Sequence, residues 1–447
     1  MSNHQSSSQP ISPAHVRVAG ITLYLMILFS VVNGLSDAIP SWWAGVAGWC
    51  AALLLIRRVR KMQLLQSGLM MLVGLSCLLW SFSQSETVLW LKALSANQAL
   101  VAMLAAVSFL RLVAASSMSK GHREPQGKKA FWKTLLGVHL FGSVINLSAM
   151  MIMAERLNQK QPLSMTQAAT LSRGFGTVVL WSPITAAMGV ALTNTAGANL
   201  FVLAMAGLPI AAVALWLAGT DITTEIKVEQ FKGYPLDLSA LWMPSLLAIS
   251  IMACHFLLPL VPVLTLISFL SILLPLIVLA FKKSTIRGKP PTGLPVYKHH
   301  VLNVIPNIGS ELLLFLAAGV LAVGIGSVMT SADIVLGFTH VGAWQASVLL
   351  TVSVVLAIVG VHPVITVATA GGLFANIDVA PDLLAMTFLM CWSGGVIASP
   401  LSGMHLTLAG RFNISNFQLF MRNRSFSVKF LVLQILFLHL YEALGVL

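Results

Sequence analysis

Trp181-Ser182-Pro183-Ile184-Thr185-Ala186 and Ala398-Ser399-Pro400-Leu401-Ser402-Gly403 are two copies of one helix-breaking pattern, in which Ser399 follows Ser182 by 217 positions. Each copy lies in an apolar run long enough to cross a bilayer. The proline removes a backbone hydrogen bond, and the neighbouring hydroxyl residues place polar groups at membrane depth. Paired breaks of this kind, in corresponding halves of a chain, indicate the binding site of a transporter.

The composition is typical of a membrane protein. Hydrophobic residues make up 57% of the chain and charged residues 9%, and the mean hydropathy is +0.89. The net charge of +13 comes from basic residues in short loops, which indicates membrane orientation and does not favour a nucleic-acid partner. The four cysteines have no ligand spacing, so we predict neither a disulfide framework nor a metal site. No resident cofactor is predicted, and Na⁺ is expected only as a coupling ion.

Apolar runs of about 20 residues predict membrane-spanning helices. Two further apolar segments, 131–157 and 343–376, contain polar or helix-breaking residues at mid-length, so each is predicted to form a re-entrant hairpin. The predicted class is an all-α polytopic membrane protein. Its eleven predicted spans are 18–36, 41–56, 64–82, 98–114, 165–193, 199–219, 238–254, 258–281, 308–328, 383–412 and 430–446.

Loop charge favours this topology. If residues 1–17 form a polar cytoplasmic tail and both segments are hairpins, all strongly basic loops lie on the cytoplasmic side of the inner (plasma) membrane. Lys92 is then the one clear basic exception on the opposite side. Eleven to thirteen ordinary helices, with some loop charges misplaced, are the alternative. The basic loops are 57–61, 120–133, 156–160, 282–298 and 411–429.

The predicted elements form two repeats. Residues 41–219 contain five spans with a hairpin between the third and the fourth, and residues 238–447 contain five more in the same order. Because the first set starts outside and the second starts inside, the repeats are predicted to be inverted about an axis in the membrane plane. The helix 18–36 precedes them, and the charged segment 220–237 is predicted to be a cytoplasmic linker.

Polar residues at the hairpin tips and helix breaks are the predicted binding residues. Broken helices expose backbone dipoles, and hydroxyl or amide side chains can complete a binding shell around them. For any single Ser or Thr, a bond to its own helix is the alternative. The candidates are Ser143, Asn146, Ser148, Ser182 and Thr185 in the first repeat, and His362, Thr366, Thr369, Ser399, Ser402 and His405 in the second.

Arg173 is the charged residue that says most about the solute. An arginine inside a span usually faces a cavity or an anionic partner, so Arg173 is predicted to attract an anion; a side chain that reaches the cytoplasmic surface is the alternative. A guanidinium binds carboxylates in a fork, which favours a carboxylate-type solute. His362 and His405 are predicted to bind solute or carry a proton, with a buried structural histidine as the alternative.

Eleven spans with two opposed hairpins, each followed by a broken span, resemble the ion transporter superfamily. This superfamily includes divalent-anion/sodium symporters, arsenite and sodium/proton antiporters, and the large membrane subunits of binding-protein-dependent (TRAP-type) transporters. The resemblance implies an elevator mechanism, in which the hairpins and broken helices move against a scaffold that forms a homodimer. It also implies that the site lies between the two tips and the two breaks.

The sequence therefore predicts a secondary active transporter of a small anion, coupled to Na⁺ or H⁺, and not an enzyme. It contains no Walker motif. The predicted partners are the anionic solute, the bilayer and a second copy of the chain. Three alternatives stay open: a TRAP-type large subunit with a small membrane subunit, a cation/proton or arsenite antiporter, and a membrane-embedded lipid-processing enzyme. The scattered 13 acidic residues disfavour the enzyme.

Overall fold

A computed structural model describes residues 13–85, 89–114, 125–159, 161–223, 228–235, 242–281, 293–333, 340–374 and 377–446. Helices account for most of these residues. Eight helical stretches within the described ranges are long and apolar enough to cross a bilayer. The number of actual crossings stays a prediction.

The first half of the described chain forms α1 (Ala14–Ser36), α2 (Ser41–Leu55), α3 (Lys61–Ser85), α4 (Trp90–Ser95), α5 (Gln98–Val107), α6 (Arg111–Ala114), α7 (Lys128–Ile145), α8 (Leu147–Asn158), α9 (Met165–Gly176), α10 (Ala186–Asn194) and α11 (Leu200–Thr223). A short 3-10 turn follows α5 and another follows α9. α4 to α6 together make one stretch of crossing length.

The second half forms α12 (Trp242–Leu257), α13 (Val263–Phe281), α14 (Leu294–His299), α15 (Gly309–Ser331), β1 (His340–Val341), α16 (Ala343–Ile358), α17 (Pro363–Leu373), β2 (Asp378–Val379), α18 (Pro381–Ala398), α19 (Gly403–Phe412) and α20 (Asn416–Leu444). A π-helical turn and a 3-10 turn join α14 to α15. β1 and β2 pair in parallel, with His340 opposite Asp378, and so join the two ends of the α16–α17 segment.

The four helices that restart at a predicted hairpin tip or helix break carry side-chain caps. Asn146 accepts a hydrogen bond from the first turn of α8, Thr185 from that of α10, His362 from that of α17 and Ser402 from that of α19. α1 and α2, by contrast, begin without a side-chain cap. The first N–H groups of a helix have no partner within the helix, so a start that is shielded from water requires a cap from the protein.

Two predicted boundaries are wrong. The predicted linker 220–237 begins inside a helix, because α11 continues to Thr223 and carries Asp221 into the interior. The last predicted span, 430–446, begins too late, because α20 already starts at Asn416. Basic residues in the first half of α20 suggested a loop, but Lys429 donates to the buried Asp221 carboxylate at 2.6 Å, so the charge is compatible with a helix.

Glycine permits a close approach of two long helices, α3 and α15. A Cβ at Gly74 would lie 2.9 Å from the backbone N and Cα of Leu321. Gly324 in turn packs against the backbone of Gly74. Small residues let membrane helices approach closely enough to gain van der Waals contact along their length.

Gly74→Val is therefore expected to force α3 and α15 apart. Overpacking of this kind costs about 1–3 kcal/mol, and we expect a lower melting temperature in detergent, measured by size-exclusion chromatography after heating. Gly68→Val is the matched control, since Gly68 lies on the same helix and a Cβ there would meet no described atom within 4 Å. Equal melting temperatures for the two variants would show that this contact does not limit stability.

Candidate functional site

The second helix break and the second hairpin tip meet at one small cavity. α17 begins at Pro363 and α19 begins at Gly403, and both residues line a cavity of about 30 Å³. Gln63 and Gln66 from the start of α3 line it too. A cavity of this size accommodates a water molecule or a single ion. The described lining includes no Asp, Glu, Lys or Arg side chain.

Side chains of the second break bond mainly to the backbone around them. His362 Nδ1 accepts from Val364 N–H at 3.2 Å, and the edge of the ring meets Trp392 at a centroid distance of 5.2 Å. Ser399 Oγ accepts from Leu401 N–H at 3.2 Å, and Ser402 Oγ accepts from His405 N–H at 3.3 Å. These bonds fix the starts of α17 and α19, whose positive dipole ends lie at the cavity.

The start of α3 contacts the second tip directly. Gln66 is buried, and its Nε2 donates to the carbonyl of Gly360 at 2.7 Å. Gly360 has φ +104°, a left-handed conformation that glycine adopts without strain. Gln63 Oε1 is buried and has no hydrogen-bond partner among the described residues. The cavity therefore has one amide oxygen that is available to a ligand.

The first tip and the first break also contact each other. Ser182 Oγ donates to the carbonyl of Ser143 at 2.7 Å. Ser143 Oγ donates back to Leu140 O, and Thr185 Oγ1 donates to Ser182 O while it caps α10. Asn146 turns the chain at φ +55° and caps α8. Each of these side chains already forms hydrogen bonds within the protein, which is the alternative to solute binding that applies to any single Ser or Thr.

Among the described residues, the two sets do not both line the small cavity at the second break. Residues of the first set do not line the cavity of the second set. The two broken helices meet elsewhere, where Ser393 Oγ donates to the carbonyl of Gly176 at 2.8 Å. Three other candidates are half-buried and do not line the cavity: Ser148, Thr366 and Thr369. Thr366 Oγ1 and Ser353 Oγ share a hydrogen bond of 2.7 Å.

The structure gives Arg173 protein partners at the place where the sequence predicted an anionic solute. Arg173 is fully buried, and its Nη1 donates to the Asp221 carboxylate at 2.7 Å. Its Nε donates to Asn423 Oδ1 at 2.9 Å, and its Nη2 donates to the carbonyl of Arg422 at 2.8 Å. The guanidinium also lies 4.8 Å from the centre of the Phe426 ring. Protein acceptors thus take the place that an anionic solute was expected to fill.

Asn423 connects Arg173 to the second break through an ordered series of hydrogen bonds. Arg173 Nε always carries hydrogen, so the Asn423 atom that it contacts must be the amide oxygen. The Asn423 amide nitrogen therefore faces Ser172 Oγ at 3.1 Å and His405 Nε2 at 3.4 Å. Because this N–H group can only donate, His405 Nε2 accepts and the ring proton lies on Nδ1, which donates to the Ser399 carbonyl at 2.8 Å.

Sequence reasoning missed four residues of this region. Asp221 and Asn423 lay in segments predicted as loops, and Gln63 and Gln66 lay at the edge of a scaffold span. The available signal for Asp221 was an isolated acid next to a long apolar run, which in a membrane protein calls for a basic partner. Nothing in the sequence pairs Gln66 with Gly360, since 294 positions separate them.

Scans against protein-family models and curated proteins found no match. Among solved structures, the chain is similar to the YdaH transporter of Alcanivorax borkumensis, with a TM-score of 0.55 and 12% identity over 85% of this chain and 98% of that one. It is also similar to Neisseria gonorrhoeae MtrF, described within a class of antimetabolite efflux pumps, with a TM-score of 0.47 and 14% identity over 96% and 94%. The first likeness shows a shared fold and confirms the predicted all-α, multi-pass membrane protein.

Arg173→Met is expected to destabilise the protein strongly, since it removes the guanidinium that pairs with the buried Asp221 carboxylate. Breaking a buried ion pair costs about 3–5 kcal/mol. Arg411→Met is the control, because Arg411 pairs with Glu155 where both side chains are largely exposed, and such pairs contribute about 1 kcal/mol or less. Thermal inactivation in detergent measures both, and equal losses would contradict a structural role for Arg173.

Asn423→Asp is expected to add a second proton to the His405 ring. A carboxylate at position 423 accepts from Arg173 and also from Nε2–H, so Nε2 becomes protonated, while the Ser399 carbonyl keeps Nδ1 protonated. The ¹⁵N chemical shifts of the histidine rings, measured by NMR on histidine-labelled protein, report whether Nε2 is protonated. The His405→Gln variant identifies the His405 signal by its loss. An unprotonated Nε2 in the Asp variant would contradict the inferred bond from Asn423.

Proposed function

We propose that this chain is a secondary active transporter of a small carboxylate-type anion that binds at the second helix break, in a conformation where the cavity of about 30 Å³ has widened to admit it. The observation that carries the proposal is the meeting of two helix N-termini, those of α17 and α19, at one cavity. Each N-terminus carries a positive partial charge of about half an elementary charge. Two such ends can hold an anionic group without a buried lysine or arginine.

The shared fold supports transport over catalysis. YdaH is a transporter, and its chain is covered over 98% of its length. A transporter built from broken helices uses their exposed dipoles to bind solute near the membrane midplane. The assignment of the ion transporter superfamily to this chain belongs to the same proposal.

The cavity suggests how Na⁺ or H⁺ could be coupled to solute. Gln63 Oε1 and the hydroxyls of Ser399 and Ser402 offer oxygen atoms to a single cation. For protons, His362 is the candidate, because uptake at Nδ1 would break its bond with Val364 N–H and free the start of α17. Each route links ion binding to the geometry of the second tip.

We also propose an elevator movement relative to α3. If the N-terminus is cytoplasmic in the inner membrane, as loop charge predicts, the start of α3 at Lys61 lies on the cytoplasmic side. Gln66 is about 7.5 Å along the helix from Lys61, so the second tip would lie near that side in this conformation. Exchange of the Gln66–Gly360 bond for partners farther along α3 would carry the tip outward, within a homodimeric scaffold.

Uptake by proteoliposomes tests the proposal. The purified protein is reconstituted, and uptake of labelled mono- and dicarboxylates is measured under an imposed Na⁺ or pH gradient. Ser399→Ala combined with Ser402→Ala is expected to lower subsaturating uptake by on the order of ten-fold, because it removes two hydroxyls and a cap worth about 1 kcal/mol. The site assignment fails if this variant transports normally.

Thr407→Val is the matched control. Thr407 lies on α19, bonds to its own helix and does not line the cavity, so its uptake should match that of the unaltered protein. Uptake that requires a co-purifying small membrane subunit and a binding protein would instead favour a TRAP-type large subunit. Cation exchange driven by a pH gradient, with no carboxylate uptake, would favour an antiporter.

A further inference from the structure

An apolar groove runs along the outside of the helices where α11 begins and α12 ends. Its volume is about 630 Å³, and Phe201, Met252 and Phe256 form much of its wall. The Phe256 side chain is 85% exposed. In a membrane-spanning protein, side chains with this position contact lipid chains. The groove is therefore open to the bilayer along its length.

A second, more polar cavity lies behind the end of the groove. It has a volume of about 300 Å³ and shares Asn199 and His255 with the groove. Thr195 lines it from the chain between α10 and α11, and Thr195 also lines a larger cavity of about 940 Å³ beyond. Lys92 is the one charged side chain in the described lining of that larger cavity. Shared lining residues therefore connect the apolar groove to the 300 Å³ cavity, and that cavity to the 940 Å³ cavity.

Two buried polar atoms at these junctions have no partner. His255 Nδ1 and Thr195 Oγ1 make no hydrogen bond within the described residues, and Thr195 is only 5% exposed. Asn199, between them, is already used: its N–H donates to Asp382 Oδ1, and its Oδ1 accepts from Phe201 N–H. Unpartnered buried groups are rare because each loses its bonds to water, so His255 and Thr195 are available to an incoming polar group.

The polar cavity and the groove are arranged like the headgroup and the acyl chain of a lipid. α10 and α12 end at this level, and α11 and α13 begin there, so the polar cavity lies where helices leave the apolar layer and lipid headgroups lie. The groove extends from Phe256 back to Ile249 along α12, which is about 10 Å into the apolar layer. A headgroup at the cavity thus directs its chain along the groove.

We propose that this groove and the cavity behind it bind a membrane glycerophospholipid. One acyl chain lies along α12 in the groove, and the phosphate or ester oxygens accept hydrogen bonds from His255 and Thr195. Lys92, in the adjoining cavity, favours an anionic headgroup over a zwitterionic one. The site is separate from the proposed solute site at the second helix break.

Native mass spectrometry of the full-length protein, delipidated in detergent and titrated with palmitoyl-oleoyl-phosphatidylglycerol, tests the proposal. We expect one saturable adduct. Met252→Trp fills the groove and is expected to weaken binding at least about ten-fold, and His255→Phe combined with Thr195→Val about ten-fold by removing two bonds. Leu72→Trp on the exposed face of α3 is the control and should bind normally.

A phosphatidylglycerol with a diazirine in its acyl chain locates the site. Crosslinks within 249–256 support the proposal, and crosslinks spread evenly over exposed helices overturn it. Equal binding by the Met252→Trp and Leu72→Trp proteins also overturns it. Protection of residues 249–256 by a second copy of the chain, in place of lipid, would reassign the groove to a dimer interface. Both experiments measure lipid binding alone, so their outcome does not depend on whether the proposed transport function is correct.

Discussion

The absence of water from the bilayer interior is the constraint on which this fold depends. Every backbone group that a broken helix frees must find a partner in the protein. The sequence meets this demand with a polar side chain at four restarts: Asn146, Thr185, His362 and Ser402. The caps hold the helix ends in place, and those ends supply the dipoles that a binding site requires. In the proposed function, stability and binding chemistry therefore come from the same few residues.

Much of the local structure could be predicted because its causes are local. Pro183 and Pro400 lie at the helix breaks, and the serines and threonines beside them are typical capping residues. Proline alone does not decide a break, since Pro209 and Pro275 lie inside α11 and α13. Loop charge and hydropathy then gave the predicted helices their approximate bounds. Predictions failed where a distant partner decides the outcome. Asp221 is helical and buried because Arg173 and Lys429 neutralise it, and neither partner is near it in sequence.

The site residues show the same division. Their capping bonds follow from sequence spacing, but their assembly does not. Sequence reasoning placed both breaks around one pocket, whereas only the second break lines the small cavity, together with Gln66 from the distant α3. Arg173 was chosen as the anion ligand because a buried charge demands a partner. That demand is real, but the Asp221 carboxylate within the chain meets it; in the proposed function, uncharged helix ends bind the anion.

The short strand pair between His340 and Asp378 has a mechanical consequence. It joins the segment before α16 to the segment after α17, so these two helices form a closed loop anchored at its base. Splaying the base apart would require the loss of strand hydrogen bonds, while the opposite end turns at Gly360, whose carbonyl accepts a hydrogen bond from Gln66. Displacement of this end from α3 therefore requires the loss of one long-range side-chain bond and leaves the strand pair at the base intact.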